Sequence, residues 1–452
     1  MQEWIKDELI DLDMEDKRLT KRASILLDSF TENPSSSIPN ACESAAKTKA
    51  AYRFFENERV EANKIREGFF KKTVERAHNF QEVLAISDAT SLVYSSHEKL
   101  QGKGVLRNYR ASGLIAHSCF IATPEEEVLG LTYQKCWGRN PEDYGKRKLR
   151  AKKDIKEKES YNWIQSFNQT QCYLEKHPHV IFVGDRGADM LALFNQPRKQ
   201  NIDLLIRACF NRIIENNEGK LFEYLDKARL LGYKEIKVTN PKTKKIRKVN
   251  LEIRPAQVTL SVGKHHKDDI KSVTINAISA KEAGNNKSPS EKIHWRLLTT
   301  LPVDNLSNAI KCISYYKTRW LIERYHFVLK SGCKIEKLQL RDAIKIDRAL
   351  ALYSIAAWRL MYLTYLARVK PNFSCTIALE EDEWKSLCCY TKKIRTPPKI
   401  PPTIKEAVTA IAKIGGFQAR KNDGNPGMKT VWIGLSALSY ITEGYRLWCK
   451  NA

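Results

Sequence analysis

HVIFVGDRGAD, residues 179–189, decides how this chain folds. Val180 to Val183 are apolar without a break, so the segment keeps no side for water. A run of this kind, closed by a glycine and an acid, reads as a buried strand that delivers a carboxylate, Asp185, at its C-terminal tip. Upstream, VLAISDATSLVY (83–94) is strand-like and carries Asp88 in its middle. SGLIAHSCFIAT (112–123) and VLGLTYQ (128–134) follow, separated by turn or charged segments, so these three strands form an antiparallel meander.

Between the meander and Asp185, Glu157–His177 reads as a helix with Trp163, Phe167 and Leu174 on one side. Beyond Asp185 come a short helix, Met190–Phe194, and a strand, DLLIRACF (203–210). The order β-β-β-α-β-α-β is an α/β arrangement of RNase H-like topology. In such a sheet the first and fourth strands are neighbours, so Asp88 and Asp185 converge across a long sequence distance.

The core is interrupted and flanked. Within 211–292, Ile236/Val238, Val249/Leu251/Ile253, Val258/Leu260 and Val273/Ile275 alternate with polar residues, which predicts half-buried strands in a β-rich insertion subdomain. IHWRLLTT (293–300) returns to the core, and Leu306–Lys330 reads as one long helix. Residues 1–60 read as a small helical module with basic clusters at Lys17-Arg18, Lys21-Arg22, Lys47, Lys49 and Arg53, suited to gripping DNA. The expected division is therefore 1–60, a helical DNA-binding domain; 61–368, the RNase H-like catalytic domain; and 369–452, a helical C-terminal region expected to dimerise. In that last region VWIGLSAL (431–438) sets Val431, Leu435 and Leu438 on one stripe, which serves either core packing or a dimer surface.

Composition narrows the partners. The chain has 452 residues, 42% of them hydrophobic, enough for two or three folded domains. Its net charge of +25 calls for a polyanion. Ala349–Ala367 is apolar enough to suggest a membrane, but Arg359 in its middle favours a buried core helix. The N-terminus shows no secretion signal, and none of the 11 cysteines is spaced as CxxC. Reduced thiols in a cytosolic protein are the expectation.

The chemistry concentrates in YYKTRWLIERYHFVLK (315–330). Tyr316, Arg319, Glu323 and Lys330 fall at i, i+3, i+7 and i+14, one face of a helix. An acid between two cations and a phenol makes a poor core face. It suits a metal-bound phosphodiester: the carboxylate takes a hard cation, and the cations and hydroxyl take phosphate oxygens. Two-metal hydrolysis needs a few carboxylates that bridge the ions, and Asp88 and Asp185 are the natural companions of Glu323. An all-carboxylate set favours Mg²⁺, two ions per site, with Mn²⁺ as a substitute.

These residues also carry a resemblance. The chain resembles the insertion-sequence-four family of DDE transposases over nearly its whole length. The likeness includes AAYRFFEN (50–57), ISDATSL (86–92), VGDRGAD (183–189), IGGFQARKN (414–422) and the pattern Y-x2-R-x3-E-x6-K. It implies that Asp88, Asp185 and Glu323 are the catalytic metal ligands, and that Tyr316, Arg319 and Lys330 hold DNA phosphates. It further implies that Trp295 stacks on a base flipped out of the duplex, with Arg207 near that nucleotide. The implied function is cut-and-paste transposition: recognition of double-stranded terminal repeats by a synaptic homodimer, cleavage through a hairpin, and strand transfer into target DNA.

Other readings attach to single features. Glu323-x-x-His326 with Glu291-x-x-His294 mimics a di-iron pattern, but the second pair runs into a strand where that site needs a helix. The basic runs Lys146–Lys153 and Lys242–Lys248 are either solvated loops or DNA contacts, and His265-His266 reads as surface. A DNA-binding repressor and a nuclease that cuts without joining are the alternative functions. The acid triad argues against the first, and the flanking helical regions exceed what the second needs.

Overall fold

The computed structural model describes residues 2–451 apart from 107–110, 144–152, 216–218, 240–245, 263–270 and 285–291. Most of the two basic runs, the His265-His266 pair and Glu291 therefore lie outside the described residues. The described residues build one ten-stranded mixed sheet with helices before, across and after it.

The central strands are β1 (Val83–Val93), β2 (Gly104–Val105), β3 (Ser112–Ala122), β4 (Val128–Trp137), β5 (Val180–Gly184) and β6 (Ile202–Arg207). β1, β3 and β4 pair as the expected antiparallel meander, while β5 lies parallel between β1 and β6. All five residues of β5 are buried, as its unbroken apolar run requires. This is an RNase H-like core, and helix α6 (Tyr161–Tyr173) covers it with Trp163 and Phe167, while the short helices α7 (Leu191–Phe194) and α8 (Leu221–Lys227) follow β5 and β6.

The insertion is β-rich, as expected, and it extends the central sheet. Its strands β7 (Gly232–Thr239), β8 (Ile246–Leu260) and β9 (Val273–Glu282) join the same sheet through β10 (His294–Thr299), which pairs with both β6 and β9. The apolar positions of β8 change parity, from 249, 251 and 253 to 258 and 260, although its register with β9 runs without a bulge. The reason is visible in the packing. The first half of β8 buries one face in the core that includes Leu297, and the second half buries the opposite face in the core beneath Phe182. One strand thus seals two cores on two sides of the sheet.

Five helices precede β1: α1 (Glu3–Glu8), α2 (Lys17–Glu32), α3 (Ile38–Cys42), α4 (Ala45–Glu56) and α5 (Ala62–Ala77). α4 buries Ala51, Phe54 and Phe55 and leaves Lys47, Lys49 and Arg53 outward. Asp16 and Ser44 cap α2 and α4, each accepting from a backbone N–H of the first turn.

The long helix expected over Leu306–Lys330 is divided. α9 (Leu306–Thr318) and α10 (Trp320–Phe327) meet at Arg319, and Val328–Gly332 continues as a π-turn. At the joint Arg319 N–H bonds to Tyr316 O and Ile322 N–H to Arg319 O, each spanning three residues and overwinding the helix. The π-turn then underwinds it, with Cys333 N–H on Val328 O at 2.8 Å. Such departures from α geometry gather where side chains must be aimed.

The apolar helix α11 (Ala343–Val369) is one long and apolar enough to cross a membrane, yet 94% of its apolar window is buried inside this fold. Arg359 Nη2 donates to the Ala378 carbonyl, and its guanidinium stacks over Trp4, 4.7 Å from the ring centre. Three more helices, α12 (Glu381–Lys392), α13 (Ile404–Ile414) and α14 (Met428–Asn451), complete the C-terminal region. Val431 and Leu438 are buried with Leu435 packed beside them, so that stripe is core. The outward row on α14 is instead Ile433, Tyr440 and Leu447, spaced by seven residues, with Trp448 beside it. All eleven cysteines are free thiols.

Candidate active site

β1 has eleven residues and β5 five, so β1 runs on where β5 stops. Their parallel register ends at Ser87 opposite Gly184, and the next step brings Asp88 level with Asp185. Neighbouring strands lie about 4.8 Å apart, so two carboxylates are forced together at the sheet's tip. Gly184 makes the turn possible: a Cβ there would stand 2.5 Å from Ala188 Cβ and 2.9 Å from Ile206 Cδ1. Asp185 then accepts the Gly187 N–H at 2.6 Å and caps the short turn that follows.

The third acid arrives on α10, and its helix is fixed on both sides of Glu323. The Tyr315 hydroxyl donates to Glu82 at the foot of β1, and Gln134 of β4 donates to the Tyr325 hydroxyl at 3.2 Å. Between these anchors, Arg319 Nη1 donates to Asp88 Oδ2 at 3.1 Å and Arg319 Nη2 donates to Glu323 Oε1. One guanidinium, 14% exposed, thus joins the first strand to the helix.

The charges do not balance. Burial pushes the Asp88 carboxyl up to about 7; Asp185 adds to this, Arg319 opposes it, and Glu323 adds again. Among the described residues no three His, Cys, Asp or Glu side chains are gathered into a metal cluster, and Arg319 bonds two of the acids, Asp88 and Glu323. The donor set still fits a divalent cation: Asp185 and Glu323 both lie within electrostatic reach of Asp88, and all three offer hard carboxylate oxygens.

Around them stand the remaining candidates. Tyr316 is buried, its hydroxyl pushed up by burial and pulled back by Arg319 and by a hydrogen bond from Arg207. Trp295 of β10 is half-buried and meets Tyr316 edge-on, ring centres 5.4 Å apart. Arg207 ends β6 opposite Leu297. The structure therefore brings Arg207, Trp295, Tyr316 and Arg319 together beside the acids. Lys330 sits in the π-turn, half-buried, with burial pushing its ammonium down and Glu336 opposing. His326 is buried and pushed down to about 3, with a ring nitrogen that has no hydrogen-bond partner among the described residues. His294 lies on strand β10, so the helical di-iron pattern fails.

Sequence reasoning passed over the supports. Asp189, the second acid of VGDRGAD, is buried and accepts from the Cys209 and Phe210 N–H groups and from Arg212 Nη1. It pins the loop after β6 that borders Arg207. At the foot of the sheet His179 is held at 3.0 Å from both Glu82 and Asp203, and Lys311 of α9 reaches Glu82 at 3.0 Å. The signal was present: Glu82 and His179 each precede a core strand. Trp320, beside Arg319, stands 53% exposed and was not singled out either.

Three family models match this chain in order. Residues 1–60 match a transposase DNA-binding domain, 164–359 a transposase DDE domain, and 355–451 the dimerisation domain of Tn5 transposase. Asp185 and Glu323 fall within the DDE match, and Asp88 precedes it. The matches make this a DNA transposase, a metal-dependent enzyme that binds DNA and forms dimers. With the RNase H-like core between the two helical regions, the chain belongs to the Tn5-like DDE transposases.

Proposed function

We propose that this transposase moves its element by cut and paste, with Asp88, Asp185 and Glu323 as the catalytic triad. The observation that supports the reading is the grouping of acids about Asp88: the strand register sets it level with Asp185, and Arg319 ties it to Glu323 on a separate helix. Two Mg²⁺ ions, or Mn²⁺, would be held by these carboxylates and would stabilise the attacking and leaving oxygens of each phosphoryl transfer. Engaging DNA and metal asks Arg319 to leave the acids for a phosphate, which charge-assisted hydrogen bonding favours. Lys330 and the Tyr316 hydroxyl supply further phosphate contacts on the same helical face. The reaction runs from nicking at the transposon end, through attack of the freed 3′-OH to close a hairpin, to hairpin opening and strand transfer.

Hairpin closure bends DNA severely, and extruding a base relieves the bend at a cost that aromatic stacking offsets. Trp295, braced by Tyr316 and next to Arg207, is proposed to take that base. Residues 1–60, with Lys47, Lys49 and Arg53 outward on α4, recognise the double-stranded terminal repeats. The exposed row Ile433, Tyr440, Leu447 and Trp448 on α14 is proposed as the pairing face of the synaptic dimer. The work takes place on bacterial nucleoid DNA. The deciding experiment incubates the protein with the element's own ends and Mg²⁺ and resolves the products on a denaturing gel. Hairpins are the expected product; nicked ends that never become hairpins would refute the pathway.

A further inference from the structure

A pocket of about 240 Å³ opens at the tips of β5 and β6, next to the acid site and outside every role assigned above except that of Arg207. Arg186, Arg207, Phe222, His294 and Arg296 line it. Alternation along β10 turns Arg296 and His294 to the sheet face opposite Trp295. The Arg296 guanidinium lies over the Phe222 ring, 4.3 Å from its centre. Its Nη2 reaches Asp226 at 3.2 Å, while its buried Nε has no hydrogen-bond partner among the described residues. His294, 3.7 Å from Asp226 and 3.0 Å from Ser279 Oγ, adds no positive charge, because burial and Arg296 push it down to about 4. Three guanidinium groups, of which Arg207 also bonds the Tyr316 hydroxyl, therefore face two carboxylates, Asp226 and Glu223.

The walls are built, not incidental. Asp189 fixes the 209–212 loop on one side. The Phe222 N–H donates to Asn211 Oδ1 at 2.8 Å, which seats the Phe222 helix against that same loop. Net positive charge selects a phosphate, and a guanidinium plane backed by an aromatic ring selects a flat base. A concavity of this size, with one aromatic-backed guanidinium plane, suits one base.

We propose that this cup is a nucleotide subsite distinct from Trp295, taking one unpaired base on the Arg296–Phe222 stack and its phosphate on Arg186 and Arg207. The proposal rests on the neighbouring acids being a DNA-cleaving centre. A strand crossing the sheet tips there meets Trp295 on one face and the cup on the other, so the two nucleotides of an opened base step would each have a seat.

The test uses full-length protein in EDTA, so that no cleavage intervenes. Fluorescence anisotropy measures affinity for a fluorescein-labelled single-stranded oligothymidylate and for a blunt duplex of arbitrary sequence. Arg296→Gln and Phe222→Leu are expected to weaken single-strand binding roughly tenfold and duplex binding less than twofold. Arg296→Lys keeps the charge without the plane and should recover little. Arg186 is exposed, so Arg186→Gln leaves the fold intact; it should weaken single-strand binding and lower the salt slope by about 0.7. Unchanged single-strand binding in Arg186→Gln and Arg296→Gln, or equal losses on both probes, would overturn the subsite. Failure of the wild-type protein to bind either probe would instead remove the DNA reading beneath it.

Discussion

Arg319 occupies the ground that the proposed metal ions would need, which makes its replacement a sharp test. Its guanidinium holds Asp88 at 3.1 Å and also holds Glu323, so a divalent ion entering the metal-free site competes with a cation already there. A charge-assisted hydrogen bond is worth about 1.5–3 kcal/mol. Asp88 and Glu323 are 17% and 33% exposed, so solvent screens part of this, and the lower end for one bond is the fair figure. About 1.5 kcal/mol is roughly a tenfold change in an equilibrium constant. Arg319→Gln should therefore bind Mn²⁺ about tenfold more tightly than wild type when DNA is absent, read by calorimetric titration. The same variant should cleave transposon ends far more slowly, because the phosphate contact is gone. Tighter metal with slower cleavage is an unusual pair of effects that unfolding would not produce. Unchanged or weaker Mn²⁺ binding would refute the reasoning, and Asp185→Asn added to Arg319→Gln should abolish the gain.

Four further expectations follow from named contacts. Burial holds Asp88 near 7 in the fold against 3.8 ordinarily, so this group favours the metal-free fold in full below about 4 and loses that support as pH rises through 7. Asp88→Asn should accordingly raise the melting temperature of metal-free protein at pH 8 while eliminating cleavage; a lower melting temperature there would contradict the repulsion. His179 is pushed up to about 9 by its hydrogen bonds to Asp203 and Glu82, so its support is complete below about 6.5 and fades as pH climbs through 9. Thermal melts of His179→Gln should lack that decline, and a wild-type slope in the variant would dismiss the network. Trp295→Ala is expected to slow hairpin formation about tenfold, at 1.36 kcal/mol per decade, with nicking much less affected and partial rescue by an abasic nucleotide at the flipped position. Parallel loss of both rates with a fall in melting temperature would mean that Trp295 merely braces Tyr316. Finally, Leu447→Glu places a charge on an exposed α14 residue and should leave the monomer folded but unable to pair, as read by sedimentation; a normal dimer would move the interface off this row.

The sequence by itself settled the strand order, the identity of the three acids as candidates, and the demand for a polyanionic partner. These rest on local signals: an unbroken apolar run, a period of two, a helical face, a charge sum. Asp88 and Asp185 were legible as partners because strand topology restricts which tips can meet. Tertiary structure alone decided what local patterns leave degenerate. A stripe such as Val431, Leu435 and Leu438 looks the same whether another helix or another subunit covers it, and here α13 and α12 claim it. Helical periodicity over Leu306–Lys330 carried no mark of the break at Arg319, since a few hydrogen bonds shifted by one residue leave the side-chain pattern nearly intact. Arg319 read as a phosphate ligand from its spacing, yet without DNA it bridges Asp88 and Glu323, residues 231 and 4 positions away. Long-range electrostatics of that kind depends on where the backbone brings charges together, and only the packed sheet and helix fix that distance.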